Sequence, residues 1–234
     1  MSATSEQGYF RTGFRNGLPF LVVAMPFGML FGVVATEAGF SLAQTMGFSV
    51  IVIAGTAQFA AVQLMTENAP TLIVLATALA VNLRMAMYSA SLAPHLGKAS
   101  TPRRLMMAYF MVDQSYSLGI AKFEDNPEME LAEKVAYYTG SVLAFLPFWY
   151  FSTFLGATIG TAIPPEWGLD MAMPLMFLAM IGPMLRSFAH MAAAMTSAVV
   201  ALVLAFLPWN LGLMVAAFAA LAVGAEVERR WGRK

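Results

Sequence analysis

The chain has no cysteine, little charge and no stretch in which polar and apolar residues alternate. Without cysteine, disulfides and thiolate metal sites are excluded. Charged residues make up only 11% of the 234, against roughly 25% in soluble domains, so a water-facing surface cannot be assembled. A net charge of zero offers nucleic acid no electrostatic attraction. No HExxH or other metal-ligand motif occurs, so neither a metal nor a cofactor is expected, and no catalytic set stands out. The lack of alternation excludes the strands of a membrane barrel. Solenoid repeats and low-complexity tracts are also absent.

What is present suits a lipid bilayer. Apolar residues account for 59% and mean hydropathy is +0.70. Eight apolar segments follow one another: Leu18–Ala35, Leu42–Met65, Thr71–Leu92, Leu105–Ala121, Val135–Ile163, Met171–Leu185, Met191–Leu207 and Leu211–Ala225. Helices of ~20 residues span a bilayer. The expected fold is therefore an all-α integral membrane protein, a polytopic bundle of about eight transmembrane segments, some broken by Gly or Pro. One transmembrane domain covers residues 1–234, with a polar tail at 1–16 and a basic tail at 226–234. Arg11 and Arg15 precede the first span, but no small-residue cleavage site follows, so that span is read as retained.

Basic residues orient such a bundle toward the cytoplasm. With the amino terminus inside and eight crossings, Arg11, Arg15, Lys122, Lys134, Arg186, Arg229, Arg230, Arg233 and Lys234 lie inside. Lys98, Arg103 and Arg104 lie outside and dissent. One early re-entrant segment moves them inside but sends the basic tail out. Six crossings, with a re-entrant pair in each half, also satisfy the charges. Eight crossings, both termini cytoplasmic and a cell (inner) membrane location are the expectation.

Gly and Pro interrupt several segments, as in "MPFGMLFG" (25–32), "AGTAQFAA" (54–61) and the Gly156/Gly160 pair. Close helix packing explains such glycines. So does a discontinuous helix whose freed backbone groups hold a substrate. Composition does not separate the two.

Arg84 and Asp113 are the ionisable side chains well inside spans. Burying Arg at a helix centre costs ~2.5–3.5 kcal/mol on insertion scales, so Arg84 should face the bundle with Asp113 as its counter-charge. Tyr88 and Ser91 share the Arg84 face; Tyr109, Tyr116 and Ser117 should stripe the Asp113 face of a continuous helix. A structural ion pair and a substrate or proton site are both open readings. Gln58, Gln63, Thr56 and Asn82 suit interhelical hydrogen bonds. Glu37 and Glu67 fall at solvated span ends, and Arg186 with His190 marks a cytoplasmic edge.

At "PFGMLFG", "AGTAQFAA", "VNLRMAMYS" and "MVDQSYS" the chain resembles the AzlC family of bacterial membrane proteins, implicated in branched-chain amino acid export. The likeness runs from about Arg15 to Ala121 and continues more loosely through "GLDMAMPLMFLAMIGP" (168–183). Gly55 with Gln58, the Asn82-Leu83-Arg84 triplet and Asp113 carry it. Met85 and Gln114 depart from it, standing where the family often has a histidine and an acid, which removes two candidate proton carriers. The resemblance implies a secondary exporter of leucine, isoleucine or valine, with proton exchange as candidate coupling, and a small AzlD-like membrane subunit as partner. Arg84 with backbone near Gly55 and Thr56 would take the substrate carboxylate. Asp113 with Gln58 would take the ammonium, and Asn82 and Tyr88 complete the candidate set.

Two other classes compete. "GFSV" and "AHMAA" are superficially similar to rhomboid protease motifs, but Ser49 and His190 are too far apart in the chain for that family. A non-transporting scaffold would use Arg84–Asp113 only as a lock between helices.

Overall fold

The computed structural model describes residues 3–160, 185, 187–207 and 211–231. The sixth apolar segment, apart from Leu185, lies outside the described residues, as does Arg186. Among the described residues every regular element is helical. The chain divides into two compact units: residues 1–62 with 81–163, and residues 63–80 with 164–234.

The first unit is built on three helices: α1 (Ala3–Gly17), α2 (Leu21–Glu37) and α8 (Leu131–Gly160). A 3₁₀ turn at Leu18–Phe20, with Pro19 in its first turn, joins α1 to α2. Glycines let these backbones touch. A Cβ on Gly32 would lie 2.2 Å from the Thr153 carbonyl oxygen, and one on Gly156 would lie 1.9 Å from that of Met29. Here the close-packing reading of the glycines holds. The register is Gly13 beside Tyr137, Gly28 beside Trp149, Gly32 beside Thr153 and Gly160 beside Val33 and Thr36. Both numbers rise together, so α1–α2 and α8 run parallel. The end where α1 begins is called the proximal end below, and the end where α2 stops the distal end.

The second apolar segment is not one helix. Capped by Ser41 and Gln44 in a reciprocal box, α3 (Leu42–Ile51) descends from the distal end along α2, its Phe48 ring 5.9 Å from Phe31. Extended residues Val52–Ala54 interrupt it, and α4 (Gly55–Thr66) begins against Phe27 and Trp149. Phe59 then packs 5.0 Å from Phe27 and 5.6 Å from Phe31. A straight helix would separate Phe48 and Phe59 by ~16 Å, yet both rest on Phe31. Thus α4 climbs back toward the distal end.

The fourth segment does the same from the opposite end. The long helix α5 (Thr71–Leu96) precedes it, followed by α6 (Thr101–Tyr109), a break at Phe110–Val112, and α7 (Asp113–Asp125). Asp113 meets Arg84, Tyr116 meets Ser91, and Phe123 lies beside His95. So α7 runs with α5 and ends where α6 began. The buried Tyr138 hydroxyl touches both limbs, donating to the Met107 carbonyl at 3.1 Å and pairing with Ser115 Oγ at 3.2 Å. A continuous helix would hold residues 107 and 115 ~12 Å apart.

These two hairpins correct the expectation of single spans at Leu42–Met65 and Leu105–Ala121. Each enters the bundle, breaks and leaves by the end it came from. Apolar composition records depth in lipid, not the direction of the chain, so the sequence did not distinguish them from crossings. Among the described residues the helical stretches long and apolar enough to cross a membrane are Ser5–Glu37, Thr71–Leu96, Leu131–Gly160 and Leu211–Trp231.

In the second unit, α9 (Phe188–Val203) and α10 (Leu211–Trp231) form an antiparallel pair. Phe188 stacks on Trp231 at 5.1 Å, and a Cβ on Gly224 would sit 3.2 Å from the Ala193 methyl. Thr77 of α5 contacts Met214 Sδ at 3.8 Å. Ser187 caps α9 by accepting the His190 backbone N–H.

Candidate functional site

The two hairpin tips meet beside the midpoint of α5, at Arg84. Its Nη1 lies 3.2 Å from Asp113 Oδ2, and its Nη2 donates to Thr56 Oγ1 at 2.8 Å. Asp113 is the first residue of α7 and Thr56 the second of α4. Three elements therefore converge on one guanidinium. The tips are also tied directly, the Tyr109 hydroxyl at the end of α6 donating to the Val50 carbonyl near the end of α3.

A broken helix exposes backbone groups that lipid cannot satisfy, and in the second hairpin side chains fill these roles. Ser115 Oγ accepts the Val112 N–H at 3.0 Å and sits 3.2 Å from the Tyr138 hydroxyl. In the first hairpin, Trp149 Nε1 donates to Ser49 Oγ at 2.8 Å, and Ser49 pairs with Thr153 at 3.3 Å. That hydroxyl is buried and doubly engaged. Gly55 admits Phe27 so closely that a Cβ there would lie 2.5 Å from its ring.

The electrostatics are lopsided. Each half-helix presents unpaired N–H groups and roughly half a positive charge at its start. Arg84 and Asp113 cancel, leaving the helix starts of α4 and α7 as surplus positive potential. Asp113 suits the α7 N-terminus, while Arg84 beside Thr56 does not suit that of α4. A second anionic group would complete the set.

Unfilled valences stand around the pair. Arg84 Nε and Asp113 Oδ1 are buried without a hydrogen bond, and so is Asn82 Oδ1, although Asn82 lies ~200° round α5 from Arg84 and faces away from the pair. The Arg84 and Asp113 side chains nevertheless keep 32% and 45% of their surface. Tyr88 stacks on Tyr116 at 4.0 Å with rings 7° apart, and lies within electrostatic reach of Asp113. Tyr116 donates onward to Ser91 at 3.2 Å.

Of the residues picked from sequence, Arg84, Asp113, Thr56 and Tyr88 come together. Gly55 shapes the tip beside them. Gln58 is fully buried with both amide atoms unbonded, but it lies ~200° round α4 from Thr56 and faces away from the pair. Gln63 bonds Glu67 on its own chain segment at 2.8 Å instead of bridging helices. The Tyr109–Asp113 stripe is corrected: the break at Phe110–Val112 sends Tyr109 to the other hairpin. Ser115 and Tyr138 escaped sequence reasoning. Ser115 carried a local signal, a hydroxyl two residues past an acid that opens a helix; Tyr138 did not.

A family model described as AzlC protein matches residues 19–163. The chain is 24% identical over 178 residues to the inner membrane protein YgaZ of Escherichia coli, covering 74% of this chain and 71% of that one. An uncharacterized membrane protein of Archaeoglobus fulgidus is 27% identical over 224 residues, covering 94% and 95%. One of Helicobacter pylori is 23% identical over 172 residues, covering 73% of each. No solved structure matches the chain.

Proposed function

The chain belongs to the AzlC family of membrane proteins, and from that premise we propose that it is a secondary exporter of neutral aliphatic amino acids such as leucine, isoleucine and valine. The observation that carries the reading is the Arg84–Asp113 pair at two helix N-termini, with Arg84 Nε and Asp113 Oδ1 unfilled. A zwitterion supplies what is missing. Its carboxylate takes Arg84 and the first turn of α4, and its ammonium takes Asp113. Half-helix N-termini near the midplane play this part in other transporter folds. Proton exchange is its proposed coupling.

We place the proximal end in the cytoplasm of a cell membrane, with six crossings and both termini inside. A small AzlD-like subunit is the proposed partner. Whole-cell efflux of labelled leucine, isoleucine, valine and methionine, with and without that subunit, tests the reading. Arg84→Ala and Asp113→Asn should each abolish efflux at unchanged membrane abundance. Undiminished efflux in both sinks the site.

The closed ion pair itself favours a second reading, a scaffold in which Arg84 and Asp113 only lock the tips. Under it, Asp113→Asn lowers the melting temperature and the wild-type chain exports nothing.

A further inference from the structure

Between the carboxyl-terminal half of α5 and α6 lies a cavity of about 310 Å3, at the small end of the roughly 300–1,000 Å3 typical of ligand sites. It is large enough for one small solute and too small for a peptide. Gly97, Thr101 and Arg104 border it at the proximal end, where α5 gives way to α6. Its other extreme is Met111, within the break and two residues before Asp113. The cavity thus leads from the basic end of the unit to the hairpin tip.

Its chemistry has a direction. Leu92, Leu96, Met107 and Met111 make the wall apolar, and methionine adapts to branched or linear chains. Among the described residues Arg104 is the one ionised group on the wall, exposed and bonded to Thr101 Oγ1 at 3.2 Å, and no acidic residue lines the cavity. The Tyr138 hydroxyl is already committed to Met107 and Ser115. A matching ligand has a carboxylate for Arg104, a small donor beside it that the Thr101 hydroxyl can accept, and a short aliphatic body.

We infer that this cavity is an entry site for the exported amino acid, separate from the Arg84–Asp113 pair, with Arg104 receiving the carboxylate and Met107 and Met111 selecting the side chain. It rests on the export reading given above. Met111 links the two sites, since a solute leaving the cavity passes the hairpin tip that carries Asp113. An anionic lipid offers the same head-and-chain chemistry, so the test separates the two sources.

Because the chain lacks cysteine, Ala93→Cys places a single thiol on the cavity wall. In the full-length protein in proteoliposomes, leucine at about ten times its Kd should slow alkylation by N-ethylmaleimide about tenfold, since only the vacant fraction reacts. Adding Arg104→Gln should remove that protection. Met111→Ala should raise phenylalanine export relative to valine about tenfold, the scale on which apolar pockets discriminate side chains. Leucine export without protection overturns the entry site and leaves the export reading intact. Protection without export overturns the export reading and leaves the site standing. Protection by phosphatidylglycerol in detergent, with none by leucine, assigns the cavity to lipid and overturns the inference.

Discussion

Arg84 faces a carboxylate and a helix N-terminus at once, and that asymmetry decides how its partners respond to exchange. Asp113 gains from opening α7, by about 0.3–1 kcal/mol near the surface and up to ~2 when partly buried. A cation in its place would lose that contribution and face repulsion. The swapped variant Arg84→Asp with Asp113→Arg should therefore fail to recover export. It should also melt below wild type, so a swap alone does not separate lock from substrate site. Tyr138 supports the same tip from behind. Tyr138→Phe leaves the Met107 carbonyl and Ser115 short of a partner, at a cost of ~1–3 kcal/mol for a buried group. The melting temperature in detergent should fall, and export should fall with it. An unchanged melting temperature would remove Tyr138 from the clasp.

Among the elements, α2 and α8 depend on contact between backbones, and the glycines that permit it are unequal. Gly32 approaches Thr153 and Ala157, whereas a Cβ on Gly47 meets nothing within 4 Å. Overpacking a tight interface costs ~1–3 kcal/mol or more. Gly32→Leu should sharply lower yield and melting temperature, while Gly47→Ala should match wild type. Equal behaviour would refute the packing of α2 on α8. The breaks differ in legibility. Gly55 beside Thr56 and Gln58 advertised a possible interruption, and α3 does stop just before it. "YFMVDQS" contains neither Gly nor Pro, so nothing in composition marked the break at Phe110–Val112. Its stability comes from Tyr138, distant in the chain, which satisfies backbone that a continuous helix would have paired internally.

Across the whole molecule, the hairpins reorganise the charge. Because each returns to its own end, Arg11, Arg15, Lys98, Arg103, Arg104, Lys122 and Lys134 all gather at the proximal end of the first unit, and its distal turn 38–41 holds no Lys or Arg. The dissenting cluster at Lys98, Arg103 and Arg104 thereby joins the other basic residues, as the positive-inside rule asks. Single cysteines at positions 38, 68, 98 and 126 in the cysteine-free chain test this. In intact cells an impermeant maleimide should label 38 and 68 and spare 98 and 126. Eight crossings instead predict labelling at 38 and 98.

Residue chemistry alone determined that this chain lives in lipid as helices and that Arg84 and Asp113 need shelter, because the cost of solvating charge and backbone is local and additive along the chain. Which way each helix runs, and which distant side chain relieves a broken turn, depends on surfaces far apart in sequence. That is why two segments that read as spans became opposed hairpins only when Tyr138, Phe31 and Arg84 were seen to touch both limbs or both tips.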